Sequence, residues 1–344
     1  MLLVEDCKTT RRYIEKVLQG YQNIELLPSA TDGLEAIHRA VELAPDVILS
    51  DLQLPRVDGV EAIATIMAEK PCPIVVLSGE LSRRDNDMTF EALNAGAVKV
   101  IAKPRGLAQG ARDSFADQLV DTLRLMSQVQ VVTGRSPAAR GLAASSEVVQ
   151  QRPEVDSRQI EAIAVGASTG GPAAIYEILS ALEAPLPVPM FIAQHITEGF
   201  EHGLCRWLRT TGHRVEIPLP GDRIEQQTVY LSPANASMVI GPNNIEIDPP
   251  VGNEITPNIN RLFRSLAQFC RHRSVGVLLT GMGSDGAAGL GQIYTTGGWT
   301  IAQARSEAVI DSMPAVAIET GVVHEEMKLA SIVTRIQRLT ASGE

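Results

Sequence analysis

The sequence predicts two α/β domains in one chain, an N-terminal (βα)5 domain and a C-terminal doubly wound, mostly parallel domain with a small antiparallel element, joined by a linker. Three observations predict this. Short apolar runs of strand length alternate with stretches of helical period over residues 1–125, and the alternation resumes from residue 158. The runs are mostly apolar, as in strands covered by helices on both faces. Between the two patterns, residues 132–159 are small and polar with no sustained period, which reads as a tether. The boundaries fall at 1–127, 128–157 and 158–344.

In the first domain the strand-like runs are 2–4, 24–27, 47–50, 74–78 and 98–102. Helical patterns lie near 8–19, 33–44, 59–69, 87–95 and 107–126. Functional groups of parallel α/β sheets gather at the carboxyl ends of strands, and the polar residues fall there. Glu5 and Asp6 end the first run, Asp51 the third, Ser78 the fourth and Lys103 the fifth. Three carboxylates converging on one edge repel one another unless a cation joins them, and oxygen ligands of that kind suit Mg²⁺. A phosphoryl group on Asp51 would meet that metal, the Lys103 ammonium and the Ser78 hydroxyl.

The second domain opens on a run at 162–165 that turns sharply through Gly166-Ala-Ser-Thr-Gly-Gly171 into a helical pattern beginning at Pro172. Pro is suited to the first turn of a helix, so Ser168 lies on a strand-to-helix turn with its hydroxyl presented. Gly166 to Gly170 also fit the G-x-S-x-G nucleophile elbow. The run 190–193 ends at Gln194-His195, and a helix is predicted near 199–210. Short runs at 229–231, 238–240 and 245–247 read as antiparallel strands or hairpins. A helix near 258–270 leads to the run 275–279, which ends in Thr280-Gly-Met-Gly-Ser-Asp-Gly286. A further helix starts at Ala287, and a last strand lies near 300–302.

Three strand-like runs thus end in Ser168, in His195 and in the loop holding Asp285, and a parallel sheet would bring all three to one edge. A hydroxyl needs a base to take its proton. Histidine is that base near neutral pH, and a buried carboxylate fixes its tautomer. Backbone N–H groups in the loop that holds Met282, or at Thr169, are the candidate oxyanion donors. The chain order Ser, His, Asp differs from the α/β-hydrolase order Ser, Asp, His. The rival use of Gly281-Met-Gly-Ser-Asp-Gly286 as a dinucleotide loop lacks its acidic partner about 20 residues on. Cys205 is read as a small buried helix residue rather than a nucleophile.

Composition narrows the function classes. A net charge of −10 argues against nucleic acid held by general electrostatics. Residues 158–344 carry 13 Lys+Arg against 18 Asp+Glu and no basic helix, which disfavours a DNA-binding output. No apolar run approaches the ~18–20 residues of a membrane span, and the N-terminus has no basic signal-peptide region. Cys7, Cys72, Cys205 and Cys270 form no C-x-x-C pair, so a reduced cytoplasmic protein with free thiols is expected.

Residues 1–125 resemble a response-regulator receiver domain, on Glu5-Asp6, Asp51-Leu-Gln-Leu-Pro55 with Asp58-Gly59, Ser78 and Lys103-Pro104. The resemblance implies phosphorylation of Asp51, Mg²⁺ held by Glu5, Asp6, Asp51 and the Gln53 carbonyl, and phosphoryl sensing by Ser78 and Lys103. Two features depart from the pattern. Only four residues precede Glu5, and Val100 stands three positions before Lys103, where many receivers carry Tyr or Phe.

Residues 158–344 resemble the catalytic domain of the chemotaxis protein-glutamate methylesterases. The residues are Gly166-Ala-Ser-Thr-Gly-Gly171, Gln194-His195, Leu278-Leu-Thr-Gly-Met-Gly-Ser-Asp-Gly286, Thr300-Ile-Ala-Gln303 and Met313-Pro314. Ile196-Thr197 follows His195 where the family usually has Met-Pro. The resemblance implies hydrolysis of γ-glutamyl methyl esters on chemoreceptors, with deamidation of receptor glutamines as a second reaction. It implies a sensory histidine kinase as phosphodonor, no cofactor for the esterase, and a monomer recruited to cytoplasmic receptor arrays without membrane insertion. The alternative is a non-catalytic receiver-containing adaptor that binds receptors or kinase.

Overall fold

A computed structural model describes residues 1–79, 83–103, 109–129, 160–252 and 254–341, with backbone alone for 83–87 and 109–114. The predicted linker therefore lies, apart from residues 128 and 129, outside the described residues. These residues form two compact units. The first takes the described residues up to Val129 together with Ser168–Ala173 and Ile196–Trp207; the second holds the remaining described residues.

The first unit contains strands β1 (Leu2–Val4), β2 (Ile48–Asp51), β3 (Ile74–Ser78) and β4 (Lys99–Ala102). They pair in that order, all parallel. Helices α1 (Lys8–Gln19), α2 (Gly33–Leu43), α3 (Gly59–Glu69), α4 (Arg83–Ala95) and α5 (Gln109–Met126) connect them. Asp32 and Asp58 start α2 and α3 by accepting from the N–H of Glu35 and Glu61, each at 2.9 Å.

The predicted strand at 24–27 is not regular. Ala30 N–H donates to Leu3 O (2.9 Å) and Glu5 N–H to Ala30 O (3.1 Å), which makes one parallel bridge to β1. Continuing that register would need an N–H at residue 28 for Met1 O. Pro28 has none, and Leu27 N–H reaches Met1 O instead, at 3.0 Å. The segment lies along the edge of β1 in extended form, with its ladder broken by proline.

The second unit is built on a seven-stranded parallel sheet. Its strands are β5 (Ala162–Ala167), β6 (Met190–Gln194), β7 (Arg214–Glu216), β9 (Thr228–Leu231), β12 (Ser274–Leu278), β13 (Trp299–Gln303) and β14 (Glu325–Met327). Their order is β14-β13-β12-β5-β6-β9-β7. Strands β8 (Asp222–Arg223), β10 (Ser237–Ile240) and β11 (Asn244–Asp248) form a separate antiparallel sheet in the order β10-β11-β8. Helices α6 (Gly171–Ala181), α7 (Glu201–Arg209), α8 (Ile259–Cys270), α9 (Ala287–Thr295), α10 (Ser312–Glu319) and α11 (Leu329–Thr340) complete the described chain.

The run at 229–231, expected among the antiparallel strands, belongs to the parallel sheet, between β6 and β7. All four residues of β9 are buried, as a strand inside a covered parallel sheet requires. The runs at 238–240 and 245–247 do pair antiparallel, as β10 and β11.

Helix α8 locks the second unit together. Ile259, Leu262, Phe263, Leu266 and Ala267 recur at helical spacing and are all buried. They pack with Ala162 and Ala164 of β5, Phe191 and Ala193 of β6, and Met238, Ile240 and Ile245 of the antiparallel sheet. Alanines on the strand side let the helix come close. The approach is closest at Gly166, where a Cβ would lie 2.3 Å from Ile259 Cγ2.

Candidate functional site

Two sets of chemically active side chains lie at strand ends. In the first unit, Glu5 and Asp6 follow β1, Asp51 and Ser78 end β2 and β3, and Lys103 follows β4. Lys103 Nζ donates to Glu5 Oε2 at 2.8 Å and to Asp51 Oδ2 at 2.7 Å. The other Asp51 oxygen accepts from Leu52 N–H at 2.7 Å. Asp51, Gln53, Ser78 and Lys103 line one cleft. Ser78 Oγ accepts from the buried Thr89 hydroxyl at 3.5 Å.

Carboxylate oxygens of Glu5, Asp6 and Asp51 all lie within 4.8 Å of one another. Burial pushes the Glu5 carboxyl above its ordinary value, although Lys103 opposes the shift. Burial works against the Lys103 charge, yet Asp51 and Glu5 carry its pKa above the ordinary lysine value. A buried acid that one ammonium does not fully satisfy, in an all-oxygen donor set, fits a hard divalent cation such as Mg²⁺.

In the second unit the three relevant strands are neighbours. Strand β5 is the middle strand of the sheet, with β12 on one side and β6 on the other. Chain directions agree across all three, so their carboxyl ends share one edge. Ser168 follows β5 directly, His195 follows β6, and the loop after β12 carries Asp285. His195 N–H donates to Ala167 O at 3.0 Å, which anchors its backbone to the residue before Ser168.

His195 Nε2 and Asp285 Oδ2 are hydrogen-bonded at 2.9 Å. With Asp285 on Nε2, the ring nitrogen left for a substrate-side partner is Nδ1. The Asp285 carboxylate collects three further N–H groups. Ile259 donates to Oδ2 at 2.8 Å, and Asn260 and Gly286 donate to Oδ1 at 3.0 and 2.9 Å. The first two are the opening residues of α8, so the positive end of that helix faces the carboxylate. Burial alone would raise the Asp285 pKa; the bonds from His195, Ile259 and Asn260 hold it below the ordinary carboxylate value instead.

The loop between β12 and α9 is tied at several points. Thr280 N–H donates to Gln303 Oε1 at 2.8 Å, and Gly281 N–H to Ile310 O at 2.9 Å. Ser312 Oγ donates to Gly281 O at 2.9 Å and accepts from Gly283 N–H at 3.0 Å. Met282 lies between these fixed glycines and is 57% exposed. Its N–H makes no hydrogen bond among the described residues, while both neighbouring N–H groups are used. Gly283 and Gly286, at φ 96° and 93°, let the loop turn where other residues would be strained.

Ser168 follows β5 as the sequence pattern predicts, and the residue is buried. Thr169 is buried as well, and Cys205 is a buried residue of α7. The holding groups on Asp285 escaped the sequence because backbone N–H groups leave no residue signature. Gln303 was visible only as part of a family motif.

Comparison with known proteins agrees with both halves. Residues 1–111 match the response regulator receiver domain, and 163–336 match the family described as CheB methylesterase. The chain is therefore a response regulator whose output unit is a hydrolase. A protein-glutamate methylesterase/protein-glutamine glutaminase of Myxococcus xanthus is 36% identical over 345 residues, covering 98% of this chain and 95% of that protein. One from Geobacter metallireducens is 36% identical over 343 residues and covers 98% of each. The crystal structure of the Thermotoga maritima CheB methylesterase catalytic domain superposes with a TM-score of 0.50 at 26% identity, over 52% of this chain and 98% of that one. The chain belongs to the CheB methylesterase family and is a methylesterase with a receiver domain in front.

Proposed function

We propose that the chain is a phosphorylation-activated serine esterase that removes methyl groups from glutamate γ-methyl esters of chemoreceptors. The observation that carries the reading is the His195–Asp285 hydrogen bond across the ends of β6 and β12, the two strands that flank β5, after which Ser168 stands. Ser168 Oγ attacks the ester carbonyl while His195 Nδ1 takes its proton. The carbonyl oxygen gains charge, met by the N–H of Met282 and by that of Thr169. The tetrahedral adduct collapses, the C–O bond to the methoxy group breaks, and the His195 proton leaves with methanol. Water, deprotonated by His195, then splits the acyl-serine to free glutamate and Ser168. Asp285 keeps its proton off throughout and steadies the imidazolium. An amide in place of the ester would release ammonia by the same steps, which extends the reading to receptor glutamines.

In the receiver, Asp51 accepts the phosphoryl group, and Lys103 and Ser78 hold its oxygens. Mg²⁺, bound by Glu5, Asp6, Asp51 and the Gln53 carbonyl, supplies charge neutralisation there. A sensory histidine kinase is the expected donor, and the expected setting is a receptor array in the cytoplasm. Among the described residues no helix is long and apolar enough to cross a membrane. The test is incubation of the full chain with methyl-esterified receptor fragments, Mg²⁺ and a small-molecule phosphodonor, read by mass spectrometry. The expected result is stepwise loss of methyl groups with matching methanol. Unchanged esters with the receptor stably bound would favour an adaptor instead.

A further inference from the structure

Helices α8 and α9 cap each other. Asp285, two residues before α9, accepts from the first two N–H groups of α8. In return Asn260, the second residue of α8, accepts through Oδ1 from the N–H of Gly289, the third residue of α9, at 2.6 Å. The N-terminal N–H groups of a helix need such outside acceptors. At the start of α9 the capping position is Gly286, which has no side chain to offer. Helix α8 has a local cap besides: Asn258 Oδ1 accepts from Arg261 N–H at 2.8 Å. At the start of α9, Ser284 O accepts from Ala287 N–H at 3.2 Å, and the side-chain acceptor is Asn260.

The two helices meet closely at this point. A Cβ on Gly289 would lie 2.7 Å from Phe263 Cβ and 2.9 Å from Asn260 Cα. Only Gly286, at φ 93°, separates Asp285 from the start of α9. Gly286 N–H also donates to Asp285 Oδ1 at 2.9 Å, so a shift of that first turn reaches the carboxylate through this bond as well as along the chain.

We propose that Asn260 is a positioning residue for the esterase: its side-chain oxygen pins the first turn of α9 to α8 and so holds the Asp285 carboxylate where it orients His195. The proposal rests on the Ser168–His195–Asp285 reading given above. Among the described residues Asn260 makes no hydrogen bond to the His195 imidazole. It acts through the position of Asp285, which gives it a signature that a residue serving stability alone would lack.

The experiment compares Asn260→Leu, which removes the acceptor at similar volume, with Asn260→Asp, which keeps an oxygen at Oδ1. Both are made in the full chain and assayed for methanol release as a function of ester concentration. Misplacing a catalytic group by a fraction of an ångström to an ångström lowers rate by about tenfold to a hundredfold, so Asn260→Leu should lose that much kcat with little change in KM. Asn260→Asp should restore the rate. Wild-type kcat in Asn260→Leu would overturn the proposal. So would a lowered kcat that Asn260→Asp does not restore, or a raised KM with kcat unchanged. Should Asn260→Leu melt below the assay temperature, Asn260→Ala is read in its place by the same criteria. Asp285→Asn is run alongside: wild-type activity there would overturn the triad itself, whereas an inactive Asp285→Asn beside an unaffected Asn260→Leu would overturn only the role of Asn260.

Discussion

Replacing Asp285 by Asn tests the electrostatic design of the site most sharply. The carboxylate accepts from four groups, His195 Nε2 and Ile259 N–H on one oxygen and Asn260 N–H and Gly286 N–H on the other. An amide offers one oxygen and one NH₂, so either orientation sets the NH₂ against two donors. With the NH₂ toward Oδ2, His195 must turn Nε2 into an acceptor and carry its proton on Nδ1, the nitrogen needed to receive the Ser168 proton. With the NH₂ toward Oδ1, the tautomer survives but the N–H groups of Asn260 and Gly286 lose their acceptor, at about 1–3 kcal/mol each. Both orientations lose the negative charge that faces the imidazolium. At an effective dielectric of about 20, charges about 4 Å apart attract by about 4 kcal/mol, or roughly a thousandfold in rate. Adding the wrong tautomer takes the loss toward about ten thousandfold. The assay is initial-rate methanol release with phosphodonor present, with a thermal melt to show that the variant is folded. A folded Asp285→Asn enzyme within about tenfold of wild type would refute the reasoning, since the charge alone is worth more than that.

Asp51→Asn should take no phosphate from a small-molecule donor, because an amide forms no acyl phosphate; acid-stable label on the variant would contradict this. If the unphosphorylated receiver holds the esterase back by about 1.4 kcal/mol, a fragment of residues 158–344 should hydrolyse esters about tenfold faster than the unphosphorylated full chain, and phosphodonor should leave the fragment unchanged. Gly166→Ala should lower stability by about 1–3 kcal/mol, since the new methyl would sit 2.3 Å from Ile259 Cγ2; an unchanged denaturation midpoint would show that α8 yields freely. The pH dependence of the Asp285 contribution follows from its lowered pKa. Its stabilisation is fully present above the ordinary value of 3.8 and is lost as pH falls through the lower folded value. The difference in melting temperature between wild type and Asp285→Asn should thus be flat across neutral pH and shrink only in acid.

Much of the fold was legible because a parallel sheet imposes a strong pattern. Buried runs such as 74–78 stand out by their apolar content, and polar residues at their ends mark the functional edge. From that rule alone, Asp51, Lys103, Ser168, His195 and Asp285 could be picked out. What failed to show has physical reasons. Strands β7 and β14 are three residues long, rich in charge and at the edges of the sheet, where burial imposes no hydrophobic run. The strand at 229–231 was recognised as a strand, but Pro and Gly around it drew it toward the hairpins beside it. Pro28 broke a ladder whose apolar pattern looked intact. The grip of Ile259 and Asn260 on Asp285 joins residues far apart in the chain, and no local pattern encodes it.

The most direct test compares wild type and Ser168→Ala in methanol release from methyl-esterified receptor fragments, at saturating Mg²⁺ and phosphodonor. Removing a nucleophile that acts as a unit with its base costs several orders of magnitude. Wild type should release methanol with multiple turnovers. Ser168→Ala, folded and still phosphorylated on Asp51, should fall to the background rate. Equal rates from the two proteins would contradict the assignment of Ser168 and with it the esterase mechanism built on the ends of β5, β6 and β12.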